Sequence, residues 1–371
     1  MNVKFGLLKF STENIGDEIQ SIAVRRFLPS IDYYFDRDDI DSTTIKKEDT
    51  VKIIMSSWYM AKPDNWPPKN DKINPLLISM YIERDNPYNK TNEAFLSEGS
   101  RKYIEMYGPL GARDTGTEKF LKENGIDSYF SGCTTLTLIP DKSIKKQEFV
   151  LAVDVSENVL SKIRRTTDRR VIVLNTERYR WLNREEKERI AEYWLSIYQA
   201  AHCVVTTRLH CMLPCLAFGT PVYAIDKDDM RRYGGLLDLC NHYSESDFMR
   251  RKLSFDKPKQ NPKKYLAIKR KLEKRVSNFT GYDSEQSFLG DRHIDSLLMD
   301  ADFISAINKI AEKSYISTLR NEESKKEIER LSSIVEELDN EKESISTPGI
   351  KQSSKFFAKA ICRRISRTFK K

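Results

Sequence analysis

The 371-residue sequence predicts an α/β fold of two Rossmann-like domains with a C-terminal helical extension. Three observations carry this expectation. Short apolar runs alternate with segments of 3.6-residue period, the pattern of βαβ units and a parallel sheet. A lysine-rich stretch at 141–147 interrupts the alternation, which then begins again. Within residues 203–225 a buried strand, an apolar helix, Gly219, Pro221 and another strand follow closely. The chain is also longer than one core usually supports. The expected division is 1–145 and 146–290 for the two domains, 300–345 for a helical or short coiled-coil extension, and 350–371 for a basic amphipathic tail.

In chain order, residues 3–10 read as the first strand. Gly16 and Asp17 open a helix whose apolar positions are Ile19, Ile22, Ala23, Phe27 and Leu28. Residues 51–55 and 75–82 read as buried strands separated by a Trp/Pro-rich loop at 58–68. A short strand at 110–113 leads into a helix with Thr115 and Glu118 as a capping-box pair and Gly125 as its stop, and 126–130 is the next strand. In the second half, 149–153, 170–174, 203–206 and 221–225 are strands, and 184–201 and 209–218 are helices. The 184–201 helix presents Ile190, Trp194, Ile197, Tyr198 and Ala201 on one face.

Composition narrows the function classes. Apolar residues make up 39%, and no apolar run reaches the roughly 18–20 residues of a spanning helix. With no signal-peptide pattern at the start, the expected location is the cytoplasm. The net charge is +8, and residues 351–371 hold eight basic groups and no acid, so the rest balances 63 − 8 = 55 bases against 55 acids. A nucleic-acid partner is therefore not expected. The six cysteines form no C-x-x-C pair and read as buried thiols, and four histidines without metal-ligand spacing give no metal site.

From about residue 261 the composition shifts to Lys, Glu and Ser. Ile328, Leu331, Val335, Leu338 and Ile345 suit a short coiled coil or a single amphipathic helix. In the tail, Phe357, Ile361, Ile365 and Phe369 line one helical face opposite Lys and Arg. That suits an anionic membrane surface at the inner face of the plasma membrane, each basic group contributing about 1 kcal/mol; a basic tail without structure is the alternative.

Three segments place polar and charged residues at strand ends, where open α/β sheets bind ligands. The first holds Asn14, Gly16 and Asp17 at a helix start, where N–H groups face an anion or a hydroxyl, Asp17 otherwise acting as a cap. In the second, Arg113 leaves a buried strand and suits a carboxylate or phosphate, while Asp114 caps the helix or orients Arg113; a structural salt bridge is the other reading. The third sets Arg208 and His210 at a strand-to-helix switch: a buried guanidinium needs an anion, and an imidazole trades protons near neutral pH. Lys227, Arg231 and Arg232 add positive charge beyond the next strand.

The motifs NIGDE at 14–18, PLLISMYI at 75–82, GPLGARD at 108–114, GIDSYFSGCTTLTL at 125–138, TTRLHC at 206–211 and RYGGLLDL at 232–239 resemble the polysaccharide pyruvyl transferase family. They occur in the family's order over roughly residues 1–240, and the extension and tail lie outside the resemblance. The resemblance implies a GT-B-like fold, phosphoenolpyruvate as donor, a sugar diol as acceptor, and no cofactor or metal; separately, a membrane-attached tail would fit an acceptor still linked to a lipid carrier. By motif, Arg113, Arg208 and His210 would bind the donor's phosphate and carboxylate, with Arg232, and less directly Lys227, as further basic groups. Two departures bear on the acceptor: Ser56, Ser57 and Trp58 stand where the family usually has glycines, and Thr176 precedes Glu177 where many relatives have Thr-His.

The chemistry so implied makes His210 the preferred proton donor or phosphate partner, and Asp17 and Asp114 candidates for accepting a hydroxyl proton. Two other readings remain at this stage. One is a nucleotide-sugar glycosyltransferase on the same fold, and the other a non-catalytic scaffold recruiting partners at a membrane.

Overall fold

A computed structural model describes residues 2–12, 14–84, 90–176, 182–226 and 233–292, with 304–305, 309, 316–317, 320, 322–323 and 326 beyond them. Residues 1–309 form one compact unit holding both large sheets. In the second unit, which begins at Ile310, the described residues between 316 and 326 are helical. The expected tail at 350–371, most of the expected extension at 300–345, and Lys227, Arg231 and Arg232 lie outside the described residues. Among the described residues no helix is long and apolar enough to cross a membrane.

The first half runs β1 (Asn2–Lys9), α1 (Ile15–Arg25), β2 (Tyr33–Asp36), β3 (Asp49–Ile54), β4 (Trp58–Tyr59), β5 (Ile73–Leu76), β6 (Tyr81–Ile82), α2 (Thr91–Leu96), α3 (Glu98–Tyr107), β7 (Leu110–Ala112), α4 (Thr115–Glu123) and β8 (Ser128–Phe130). Strands β2, β1, β3 and β5 pair in that order, all parallel. Hydrogen bonds from Met55 N to Leu76 O and from Tyr81 N to Ser57 O carry the pairing on into β4 and β6. Bonds from Gly111 N to Leu77 O and from Met80 N to Gly111 O then attach β7, which pairs with β8. The single strand expected at 75–82 is thus broken in two at Ser79, whose φ of 54° lies in the left-handed region.

The second half runs β9 (Phe149–Val153), α5 (Glu157–Thr166), β10 (Arg170–Leu174), α6 (Arg184–Ala200), β11 (Cys203–Thr206), α7 (Leu209–Phe218), β12 (Val222–Asp226), β13 (Asn241–Ser244), α8 (Glu245–Arg250) and α9 (Tyr265–Thr280). Its strands are all parallel in the order β10, β9, β11, β12, β13. Every residue of β9 and β11 is buried, so these strands read as unbroken apolar runs, as expected of a sheet covered on both faces. Trp194 and Tyr198 of α6 are fully buried.

The short strands β2 and β13 and the helices α2, α3, α5 and α8 were not evident in the sequence pattern. Cap chemistry also differs at one point: α4 is capped by Asp114, whose side chain accepts from Thr117 N, and not by Thr115. Glu118, the expected capping-box partner, pairs with Lys122 instead. Residues 265–280, within the charged stretch after 261, form α9, and this helix returns to the first half. Glu273 pairs with Arg26, Phe279 O accepts from Lys52 Nζ at 2.7 Å, and Arg275 lies 4.5 Å from the Tyr129 ring centroid. Two parallel sheets joined by such a return crossing make the arrangement GT-B-like.

Packing beside β1 leaves no room for a side chain at residue 6. A Cβ added to Gly6 would stand 2.5 Å from Phe35 Cε2 and 3.2 Å from Val51 Cγ1, inside the core between β1, β2 and β3. Gly6→Ala is expected to lower unfolding stability in urea by about 1–3 kcal/mol through overpacking.

Candidate functional site

The segments that follow the strands of one sheet touch those that follow the strands of the other, and the polar residues gather at this seam. On the first-half side stands the N-terminus of α1. Asn14 is its N-cap, extended at φ −87°, ψ 111°, and its Oδ1 accepts from Gly16 N at 2.9 Å. Ile15 N donates to Thr176 O of the second half at 3.1 Å, which fixes this helix start against the end of β10.

Across the seam lies the start of α7. Arg208 is its N-cap residue and His210 stands in its first turn with non-helical angles, φ −82°, ψ 15°. The local sequence explains the irregularity: Pro214, four residues on, has no N–H for the His210 carbonyl, and its ring crowds that carbonyl in a regular turn. The imidazole then lies against α1. A Cβ placed on Gly16 would be 2.8 Å from His210 Nδ1 and 3.2 Å from its Cβ. On its other nitrogen, His210 Nε2 lies 3.8 Å from Cys133 Sγ, in the loop after β8.

Cys133 is fully buried, and burial pushes its thiol up, while the nearby Arg113 charge pulls the other way. Arg113 follows β7, is 2% exposed and lies 4.6 Å from the Tyr81 ring centroid. Its buried Nε has no hydrogen-bond partner, and it forms no ion pair among the described residues. A guanidinium so buried is costly without an anion. Cys133, His210 and Gly16 are therefore neighbours across the seam, with the Arg113 charge near Cys133. The loops after β3, β5 and β8 are rich in buried hydroxyls: Ser56 Oγ meets Thr134 Oγ1 at 2.7 Å, and Ser131 Oγ accepts from Ser79 N at 3.1 Å.

Arg208 has a carboxylate partner the sequence reading did not single out. Its Nε donates to Asp154 Oδ2 at 2.9 Å. Asp154 follows β9 and takes a φ of 51°, uncommon outside glycine. Its carboxylate also accepts from Thr176 N at 3.1 Å and from Thr176 Oγ1 at 2.5 Å. Only its place at a strand end could have marked it, since a single Asp after an apolar run is also a common turn residue.

The two carboxylates expected to serve as proton acceptors have other partners. Asp114 is fully buried, with Oδ1 accepting from Thr117 N at 2.9 Å and Oδ2 from Thr117 Oγ1 at 2.8 Å. Asp17 is 6% exposed, accepts from Thr12 Oγ1 and faces Arg37 NH1 at 3.5 Å. Arg37, itself buried, also pairs with Asp38. Next to Asp17, neither oxygen of the buried Glu18 has a hydrogen-bond partner. Burial, with the Asp17 charge second, pushes its carboxyl up to about 8 against the pull of Lys187 and Arg37. Among the described residues no three His, Cys, Asp or Glu side chains are placed to hold a metal ion.

Two parallel sheets, with guanidinium and imidazole groups brought to the seam between their strand ends, define a GT-B-like α/β protein with a polar site at that seam. The chain belongs to the polysaccharide pyruvyl transferase family, an enzyme family whose model matches residues 14–229. That span contains Asn14, Gly16, Arg113, Arg208 and His210. No curated protein sequence matches the chain. Among solved structures, a functionally uncharacterized protein from Klebsiella pneumoniae subsp. pneumoniae matches at 13% identity over 63% of this chain and 87% of that one, with a TM-score of 0.41. The UDP-GlcNAc 2-epimerase of Methanocaldococcus jannaschii matches at 9% identity over 75% and 100%, with a TM-score of 0.36. S. aureus MnaA, in a structure with UDP, matches at 12% identity over 85% and 97%, with a TM-score of 0.38.

Two outcomes follow from this geometry. Gly16→Ala is expected to push the imidazole off its seat, seen as a changed His210 Cε1–H resonance, with a stability loss of about 1–2 kcal/mol. Glu18 binds its proton more tightly folded than unfolded, so its contribution to stability is greatest at low pH and declines from about 4.5 to about 8. Glu18→Gln should therefore flatten the denaturation midpoint over that window and stabilise the protein above it, by the order of a few kcal/mol.

Proposed function

We propose that the chain transfers pyruvate from phosphoenolpyruvate to a sugar diol of a surface polysaccharide or its lipid-linked precursor, forming a ketal and releasing phosphate. The observation that carries this reading is the buried Arg113, without a carboxylate partner among the described residues, its charge near the Cys133 that lies 3.8 Å from His210. A small donor bearing a phosphate and a carboxylate supplies the missing anion, and Arg113 and Arg208 stand at the ends of strands from different halves.

In the proposed reaction His210 delivers a proton to the methylene carbon of the donor, making C2 electrophilic and oxocarbenium-like. A sugar hydroxyl adds to C2 and loses its proton. The C2–O bond to phosphate then breaks, phosphate leaves with the bonding pair, and the second hydroxyl closes the ring with loss of its own proton. Arginines that meet charge growing on the departing phosphate act where stabilisation lowers the barrier. Asp114, fully buried as the α4 cap, has no part in this scheme, and Asp17 serves to hold Arg37. The reading needs no metal and no cofactor. A tail resting on an anionic membrane would bring the enzyme to a lipid-linked acceptor from the cytoplasmic side.

The test is phosphate release from phosphoenolpyruvate in the presence of synthetic and lipid-linked galactosides and N-acetylmannosaminides, read together with acceptor mass. Acceptor-dependent phosphate with the mass gain of a pyruvate ketal is expected. Arg208→Ala and His210→Gln should each reduce it by about a hundredfold or more. Release with no acceptor in the panel, or a thermal shift with nucleoside diphosphates and none with phosphoenolpyruvate, would overturn the reading.

A further inference from the structure

One aromatic ring beyond the end of β3 is firmly held and partly open. Trp58 begins β4, at a position where the family usually has glycine. Successive strand residues face opposite ways, and here the two environments differ. Tyr59 is fully buried in an aromatic core, its ring 5.6 Å from that of Trp66 and 6.2 Å from that of Phe95. Trp58 is only half-buried. Its indole is fixed from two directions: Nε1 donates to Glu83 Oε2 at 3.2 Å, and the Arg37 guanidinium lies 4.9 Å from the ring centroid. Arg37 is itself 1% exposed and paired with Asp17 and Asp38. The surroundings of Trp58 belong to the seam. Asp17 follows the Gly16 that touches His210, and Ser56 meets Thr134, the residue after Cys133. In the parallel pairing of β4 with β6, Trp58 is the partner of Tyr81, which places both side chains on one face. Tyr81 carries the ring against which Arg113 packs.

We infer that Trp58 is the platform of the acceptor subsite: its indole stacks against the C–H face of a pyranose ring. The inference rests on the proposed reading for the pyruvyl donor beside that sugar, and on the polysaccharide family for the sugar itself. The C–H groups on one face of a pyranose are its largest apolar surface, and its hydroxyls line the rim. Laying that face on an aromatic ring takes apolar area of both from water and leaves the rim hydroxyls free to react. An indole fixed beforehand by Arg37 and Glu83 loses little freedom when a sugar arrives, so more of the contact appears as affinity. Charge favours a neutral ring over a nucleotide. The groups holding the indole and Arg37 are one cation, Arg37, and three carboxylates, Asp17, Asp38 and Glu83, an excess that repels phosphates.

The test uses the full chain with synthetic galactosides and N-acetylmannosaminides. Tryptophan emission is followed as each saccharide is added, in the unaltered protein and in Trp58→Tyr and Trp58→Leu. Acceptor and phosphoenolpyruvate KM values and melting curves accompany the titrations. The expected result is a saccharide-dependent emission change in the unaltered protein that both variants lose, with the buried Trp66 and Trp194 left as background. Trp58→Leu should raise the dissociation constant and KM of the acceptor by about tenfold or more. Trp58→Tyr, which keeps an aromatic face, should raise them less. KM for phosphoenolpyruvate should stay within about threefold in both. A merely structural role for Trp58 would lower the melting temperature without separating the two KM values.

Equal rises in both KM values, or a Trp58-dependent response to uridine diphosphate and none to any saccharide, would overturn the inference. Ketal formation by Trp58→Leu at an unaltered acceptor KM would refute the platform and leave the pyruvyl reading standing. Trp58-dependent saccharide binding without acceptor-dependent phosphate release would do the reverse. Failure of the unaltered protein to bind or turn over any saccharide of the panel would refute both.

Discussion

The contact between the His210 imidazole and the backbone of Gly16 is the constraint on which the seam depends. It allows the first turns of α1 and α7, one from each half, to approach within van der Waals distance. Helix starts carry partial positive charge, and two of them side by side favour an anion more than either would alone. Any residue larger than glycine at this point would separate the halves or turn the imidazole away. The neighbouring bonds follow from the same approach: Ile15 reaches Thr176, and Cys133 reaches His210.

Around that contact the charges are arranged asymmetrically. On the second-half side Arg208 has its own carboxylate, fixed by hydroxyl and amide donors. On the first-half side Arg113 is buried against an aromatic ring and forms no ion pair among the described residues. One cation is thus oriented before any ligand arrives, and the other is electrostatically incomplete until one does. The proposed donor, with two anionic groups, suits both halves of that description. The buried Arg37, Asp17 and Asp38 beside α1 form a separate cluster of one cation and two carboxylates, and burial, with the Asp17 charge second, pushes the neighbouring Glu18 carboxyl up to about 8.

The elements that bury long apolar runs were legible in the sequence. Residues 149–153, 170–174 and 209–218 have the same bounds in the sequence reading and in the structure, because each begins and ends at a sharp change from apolar to polar or at Gly219. The short strands β2 and β13 were not, since Tyr33–Asp36 offers only three aromatic residues and Asn241–Ser244 no apolar run, and both exist through pairing with distant strands. The break at Ser79 was hidden for a related reason: a positive φ at serine leaves no mark in composition. At the site, Arg113, Arg208 and His210 stood out because cations and an imidazole are unusual at buried strand ends. Asp114 was ambiguous, since a carboxylate that caps a helix and one that does chemistry look alike in sequence. Asp154 was silent because its partners lie on other strands.

Pro214 puts stability and activity in opposition within one helix. The missing N–H leaves the first turn of α7 irregular, and that irregularity gives His210 its seat on Gly16. Selection for melting temperature alone would favour a residue that completes the helical ladder, and would thereby draw the imidazole into a regular turn. In a population of such variants the most heat-resistant would be the poorest catalysts. In the proposed reaction, a proline within an apolar helix, a defect by propensity, would then persist for the seat it gives His210.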